Sequence, residues 1–339
     1  MKTKGTPVPD APGPPASRPP EFDPAARRCA QTLIEMALAE DLGTPSPWLT
    51  LDPESGRLRL DFAETRGVSG DLTAESTIPE NARGGAKFVC RHAGVVAGLP
   101  VLGLVAERFG LATWFRPLVD DGARVEPGTV IAEVFGPMRA LLMMERTALN
   151  FVQRLSGVAT LTGRFVAEVA GTRAVILDTR KTTPGWRPLE KYAVRCGGGT
   201  HHRIGLYDQV LIKDNHLAWL VFRGQSDPLA TAVEDARGHA PQGTVVEIEV
   251  DSLEQFDQAL RSGPDIILVD NLGPQALAEA VRRRDERAPR VLLEASGGVS
   301  LSTVGGLART GVDRISVGAL THSAPALDVG LDFDCSDLT

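Results

Sequence analysis

The chain has 339 residues, with 36 Lys+Arg against 43 Asp+Glu for a formal net charge of −7, 42% apolar residues and 5% aromatics. That composition suits a globular protein with a sizeable core; it excludes a helical membrane protein, which needs runs of about 18 apolar residues, and argues against nucleic-acid partners, which call for clustered positive charge. Cys29, Cys90, Cys196 and Cys335 lie far apart with no CxxC pair, and no signal-peptide pattern opens the chain, so a reducing, cytoplasmic setting is expected.

Residues 1–25 read as a disordered Pro-rich tail, because Met1–Pro24 holds eight of the 24 prolines and too little apolar surface to offset the entropy of ordering. Cys29, Leu33, Ile34, Met36 and Ala37 then recur at helical spacing, with Gly43 as the stop. Thr44–Val68 reads as an irregular surface insertion. From Ser69 to Pro137, short β runs (Gly85–Cys90, Gly94–Leu99, Thr129–Phe135) and one helix, Val101–Phe109, sit between Gly and Pro punctuation. These make a small α+β layer over 26–140.

After Met138, helices are expected over Ala140–Leu155 and Ala159–Val169, separated by Gly157. Six apolar runs follow: Ala174–Asp178, Gln209–Lys213, Val245–Glu249, Ile266–Asp270, Val291–Ser296 and Arg314–Gly318. Helical segments lie between several of them. Ser252 with Gln255 makes a capping box for a helix ending at Gly263, Pro274 opens another, and Ser300 caps one that stops before Gly311. Continuous apolar strands alternating with amphipathic helices mean a parallel sheet covered on its outside. Six such units suit a closed or nearly closed α/β barrel over 141–319 better than a doubly wound sheet.

A barrel of this kind builds its active site at the carboxyl ends of its strands. There the runs deliver Asp178 with Arg180 and Lys181, then Lys213, Glu249, Asp270, Ser296 and Gly318. Asp178–His216 carries seven Lys/Arg against four acids, with His201, His202, His216 and a triple glycine. Local positive charge in an acidic protein points to a small anionic ligand, since Arg forks match carboxylate and phosphate. Glu249 and Asp270 end successive strands; such a pair could hold a hard cation such as Mg²⁺, bind ribose hydroxyls, or act as acid and base. Ser296-Gly297-Gly298 and Ser316-Val317-Gly318 expose backbone N–H groups suited to phosphate. Neither HExxH nor Gly-x-Ser-x-Gly occurs, which disfavours a zinc site and a serine hydrolase.

Several runs resemble the quinolinate phosphoribosyltransferase family: Glu145-Arg146-Thr147-Ala148-Leu149-Asn150-Phe151, Asp178 to Gly185, His202-Arg203-Ile204-Gly205-Leu206, Ile212-Lys213-Asp214-Asn215-His216, Glu247 to Asp251 and Glu294 to Gly298. The resemblance implies phosphoribose transfer from phosphoribosyl pyrophosphate to quinolinate, with loss of CO₂ and pyrophosphate, giving nicotinate mononucleotide for NAD synthesis. It implies an N-terminal α+β open sandwich, to which 320–339 returns, joined to an incomplete, seven-stranded-type α/β barrel. It also implies a homodimer with shared active sites, the total number of copies, two or six, being left open. By resemblance, Arg146 of a second copy, Arg180, His202, Arg203 and Lys213 would grip the quinolinate carboxylates. Lys181 would meet phosphoribosyl pyrophosphate, with Ser296, Gly297 and Gly318 on phosphate. Glu249 and Asp270 would hold ribose and Mg²⁺, and Lys213 or Lys181 would assist decarboxylation. His201 stands where the family usually has Asn.

Overall fold

The structure, a computed structural model, describes residues 19–42, 47–51, 58–62, 70–111 and 114–334. The tail before residue 19, most of the 44–68 insertion and Cys335 lie outside them. In chain order the elements are α1 (Pro24–Leu42), β1 (Pro47–Leu51), β2 (Leu58–Phe62), α2 (Leu72–Thr77), β3 (Arg83–Cys90), β4 (Gly94–Val95), α3 (Leu99–Arg108), β5 (Phe115–Pro117), β6 (Arg124–Val125), β7 (Val130–Pro137) and α4 (Met138–Glu168). There follow β8 (Val175–Leu177), α5 (Arg187–Cys196), β9 (Val210–Ile212), α6 (Asp214–Phe222), α7 (Pro228–His239), β10 (Val246–Val250), α8 (Leu253–Ser262) and β11 (Ile266–Asp270). The last are α9 (Pro274–Arg287), β12 (Leu292–Ser296), α10 (Leu301–Ala308), β13 (Arg314–Ser316), α11 (Ala319–His322) and β14 (Val329–Asp334).

Two compact units form. Among the described residues, one takes those between 19 and 161, Thr183–Gly197 and 324–334; the other takes Thr162–Thr182 and Gly198–Ser323. The limits therefore differ from the 140/141 and 319/320 boundaries read from the sequence, because α4 runs unbroken through the first of them and α5 joins the first unit. Gly157, read as a break between two helices, sits inside α4. A Cβ there would lie 2.1 Å from the Pro325 carbonyl oxygen, so the glycine serves close packing rather than helix termination.

In the first unit, β14-β3-β7-β5 form an antiparallel sheet. Ala86, Phe88, Ile131, Ala132 and Val134 are buried along β3 and β7, and α3 buries Leu99, Val101, Leu102 and Val105. The first amides of α3 have no helical partner, and buried Asp121 takes them: its carboxylate accepts from Gly98 N at 2.8 Å, Leu99 N at 3.1 Å and the Tyr192 hydroxyl at 2.6 Å. Within the insertion, β1 and β2 pair antiparallel, Pro47 opposite Phe62. Alternating apolar and polar residues on both sides of Asp52-Pro53-Glu54-Ser55-Gly56 account for this hairpin, which the irregular reading of that stretch passed over.

The second unit holds six parallel strands in the order β8-β13-β12-β11-β10-β9. Consecutive strands are neighbours all the way from β9 to β13, and β13 then pairs with the first strand, β8. That order is cyclic. It is the order of a ring opened at one place, between β8 and β9, whereas a doubly wound sheet reverses direction midway. Among the described residues the ladder has six strands, in keeping with an incomplete barrel; at the opening stands one isolated parallel bridge, Leu177 to Thr200. The segment beyond Thr200 cannot extend that bridge into a strand because side chains take its amides: Asp178 accepts from His202 N, and Asp208 from Ile204 N and Gly205 N. Outside the sheet, α8 shows the helix logic: the Ser252 hydroxyl caps it, Gly263 ends it at φ 68°, and Phe256, Ala259 and Leu260 form one buried stripe. Burying Phe256 alone contributes on the order of 2 kcal/mol.

Candidate active site

The carboxyl ends of the six strands carry the residues singled out above. Strand register sets their faces. Glu249 lies level with Leu268, which shares a face with Asp270 two residues on, so both carboxylates point to the same side of neighbouring strands. Asp270 is level with Ser296. Just beyond, Asn271 adopts a left-handed φ of 57°; its Nδ2 donates to Asp270 Oδ2 at 2.6 Å and its backbone N–H donates to the Ser296 carbonyl at 3.0 Å. Gly297 has φ 91°, and a Cβ there would lie 2.2 Å from Asn271 Oδ1. Only glycine lets the two turns lie together.

Lys213, at the N-cap of α6, donates to Glu249 Oε2 at 2.5 Å. Its backbone N–H donates to His216 Nδ1 at 2.9 Å, which makes His216 a helix cap. On the β8 side, Lys181 is exposed and packs close to Gly318: a Cβ on that glycine would sit 3.2 Å from Lys181 Cδ and 3.1 Å from His322 Nε2. Asp178, fully buried, faces His201 Nδ1 at 2.9 Å and accepts from His202 N at 3.0 Å.

Arg203 is 8% exposed, its Nη1 donates to the Gln209 carbonyl at 3.3 Å, and its buried Nε has no hydrogen-bond acceptor. Burial first, and the neighbouring Arg180 guanidinium second, push its pKa below the usual arginine value. The Arg180 charge thus disfavours the buried Arg203 cation, an arrangement that favours binding an anion.

Polar residues also lie inside the sheet's closed face. Glu247 shares a strand face with Glu249, and Glu294 is level with Arg314 on β13. His202 Nε2 lies 3.0 Å from Glu247 Oε2 and 3.4 Å from Glu294 Oε1, and the Arg203 backbone N–H donates to His202 Nδ1 at 2.7 Å. Gln209 donates to Glu247 at 2.5 Å and Arg314 to Glu294 at 2.9 Å. Both ring nitrogens of His202 thus face protein groups.

Glu247 and Glu294 lie inside the sequence motifs but carry no role there. Their signal was a charged residue inside an otherwise apolar strand, two positions before a strand-end polar residue. Burial alone would lower the His202 pKa, but the Glu247 hydrogen bond and the charges of Glu294 and Glu247 outweigh it and leave it raised. Burial and the Glu247 charge raise Glu294 as well.

A raised folded-state pKa means that stability is fully present below the unfolded value, near 4.5 for Glu294, and is lost as pH rises through the folded value. Wild-type protein should therefore lose part of its melting temperature as pH rises above the ordinary carboxylate value, and Glu294→Gln should lose less over the same range. Equal slopes in thermal melts of the two proteins would remove Glu294 from this account.

The basic stretch 178–216 divides between the units. Arg187, Lys191 and Arg195 lie on α5 in the first unit, and only Arg180, Lys181, Arg203 and Lys213 reach the strand ends. Arg146 is exposed on α4, also in the first unit.

Comparison with known proteins agrees with this arrangement. Residues 71–156 match the family description "Quinolinate phosphoribosyl transferase, N-terminal domain", and residues 158–332 match its "C-terminal domain". The chain is 47% identical over 264 residues to a nicotinate-nucleotide pyrophosphorylase [carboxylating] of Mycobacterium leprae, covering 77% of this chain and 90% of that one. It is 40% identical over 280 residues to a probable nicotinate-nucleotide pyrophosphorylase [carboxylating] of Bacillus subtilis, with coverages of 81% and 92%. The solved nicotinate-nucleotide pyrophosphorylase of Francisella tularensis superposes with a TM-score of 0.75 at 33% identity, over 91% of this chain and 96% of that chain. With both domain descriptions matched in order across most of its length, the chain belongs to the quinolinate phosphoribosyl transferase family.

Proposed function

We propose that the protein transfers phosphoribose from phosphoribosyl pyrophosphate to the ring nitrogen of quinolinate and removes one carboxylate, giving nicotinate mononucleotide, pyrophosphate and CO₂. The observation that carries this reading is the buried Arg203, whose charge is disfavoured by burial and by the half-buried Arg180 and would be favoured by a pyridine dicarboxylate. Relatives are named nicotinate-nucleotide pyrophosphorylase [carboxylating], which is the same reaction written from its product side.

In the first step the ring nitrogen's lone pair attacks the anomeric carbon, and the bond to pyrophosphate breaks with its electrons leaving on pyrophosphate. Arg180 and Arg203 fix the ring by its carboxylates, and an exposed Arg146 from a second copy adds a third cation. Lys181, with Ser296, Gly297 and Gly318, holds the phosphates. Glu249 and Asp270 hold the ribose hydroxyls and stabilise positive charge developing at the anomeric carbon.

Each of these carboxylates gives one oxygen to a protein donor, Lys213 or Asn271, and keeps the other for a hard cation. An all-oxygen set at neighbouring strand ends fits Mg²⁺ shared with substrate phosphates. When bound, Mg²⁺ supplies charge neutralisation for the pyrophosphate. In the second step the ring carbon–carboxylate bond breaks, CO₂ departs, and the electron pair left on the ring is stabilised by the quaternised nitrogen and a lysine before taking a proton. Lys213, paired with Glu249, would take this role.

We also propose a homodimer working in the cytoplasm. Trp219, Val221 and Phe222 leave α6 with an exposed apolar face suited to burial against another copy, and the described cysteines Cys29, Cys90 and Cys196 are free thiols. No helix among the described residues is long and apolar enough to cross a membrane.

The test follows pyrophosphate release with quinolinate, nicotinate and nicotinamide as acceptors, and CO₂ release with quinolinate. Turnover of quinolinate only, dependent on phosphoribosyl pyrophosphate and Mg²⁺, is the expected result; preference for a monocarboxylate would overturn the reading.

A further inference from the structure

The loop from Asp178 to Thr183 carries Arg180 and Lys181, yet it has no ladder to hold it. At its start Asp178 N donates to the Thr200 carbonyl at 3.2 Å; beyond that its backbone groups are satisfied locally and by side chains. Lys181 N donates to Thr179 Oγ1 at 3.0 Å, and Thr182 N donates to the Arg180 carbonyl at 2.9 Å. Two longer-range anchors complete the set. The Thr321 hydroxyl donates to the Lys181 carbonyl at 2.8 Å, across 140 residues of sequence, and Thr321 is fully buried. Glu190, also fully buried, accepts from Thr183 N at 3.0 Å on one oxygen and from Thr183 Oγ1 at 2.9 Å on the other, while Arg154 Nη2 donates to it at 2.6 Å.

We propose that Thr321 and Glu190 are positioning residues for the reaction: between them they lock the backbone on either side of Thr182, so that Arg180 and Lys181 are presented in one conformation before substrate arrives. The inference rests on the phosphoribosyl-transfer reading for the roles of Arg180 and Lys181. Neither anchor stands at a strand end, and neither need touch substrate. Their contribution is preorganisation. A loop that must be ordered at each turnover binds and reacts more weakly than one already ordered, and displacement of a reacting group by about 1 Å can cost ~10²-fold in rate. Thr321 is well suited to this task because α11 places its neighbour Gly318 against the Lys181 side chain as well. One short helix therefore gauges both the carbonyl and the stem of the same lysine.

Thr321→Val keeps shape and volume but removes the donor, leaving the Lys181 carbonyl to seek water. In the full-length protein, kcat/KM for phosphoribosyl pyrophosphate should fall by about tenfold or more, and Thr321→Ser should restore it to near the wild-type value. Hydrogen exchange at the amides of Lys181, Thr182 and Thr183 should accelerate in Thr321→Val and not in Thr321→Ser, with the melting temperature little changed.

Wild-type turnover and exchange in Thr321→Val would overturn the proposal, as would a serine variant as impaired as the valine one. Should Thr321→Val not fold, Glu190→Gln decides by the same two readouts. Should the wild-type protein fail to use quinolinate, the functional reading falls, and the exchange comparison still judges the anchors: faster exchange supports them and unchanged exchange refutes them.

Discussion

Replacing Asp270 by asparagine is expected to lower kcat by about 10²–10³-fold, the usual cost of losing one preorganised charge at a reacting centre, while the melting temperature holds. The substitution is isosteric, and an amide oxygen can still accept from Asn271 Nδ2, so the tight turn beside Gly297 keeps its shape. What disappears is the negative charge at the end of β11. Glu249→Gln should act in the same direction with an added consequence, because the Lys213 ammonium loses its charged partner 2.5 Å away. Steady-state turnover at saturating quinolinate and phosphoribosyl pyrophosphate, repeated across a Mg²⁺ titration, measures both. Near-wild-type rates in both variants would end the assignment of this pair to ribose and cation.

The second large effect belongs to Arg203. Arg203→Met should raise KM for quinolinate by about 10²-fold or more, since a carboxylate would lose a charge-assisted, water-poor partner. It should leave the ligand-free protein as stable as wild type or more so. The reason lies in the sign of the Arg203 shift: burial and Arg180 both disfavour its charged form, so the cation costs folding free energy until an anion arrives. Thermal melts with and without quinolinate check this. Wild-type protein should gain stability on adding quinolinate, and Arg203→Met should not. A destabilised Arg203→Met that still responds to quinolinate would show Arg203 to be a structural cation.

Much of this was legible along the chain, and for a clear reason. Strand ends are local features: an apolar run of five residues closing on Glu249, Asp270 or Ser296 says which residues leave the core together, and six such runs say that they leave it at one end of a parallel sheet. Helix punctuation was equally local, so Ser252, Gly263 and Pro274 mark real boundaries. Gly157 went the other way. A glycine reads as a helix break until one sees the Pro325 carbonyl that leaves no room for a Cβ.

Likewise the basic stretch 178–216 reads as one patch, yet α5 takes three of its cations away from the strand ends. The interior acids Glu247 and Glu294 were visible as letters, but nothing in a strand's period tells whether a charged residue on the inner face meets solvent, substrate or a histidine 3.0 Å away.

The sequence by itself determined the fold class, the family and the ring of polar residues at the strand ends, because these depend on periodicity and on short motifs of neighbouring residues. Only the tertiary structure decided what those residues touch. It buried Arg203, turned the His202 ring onto Glu247, joined Lys213 to Glu249, and tied Lys181 to Thr321 across 140 residues. Such pairings are set by how distant segments pack, and the electrostatic consequence of a charge depends on the water and partners that packing leaves it.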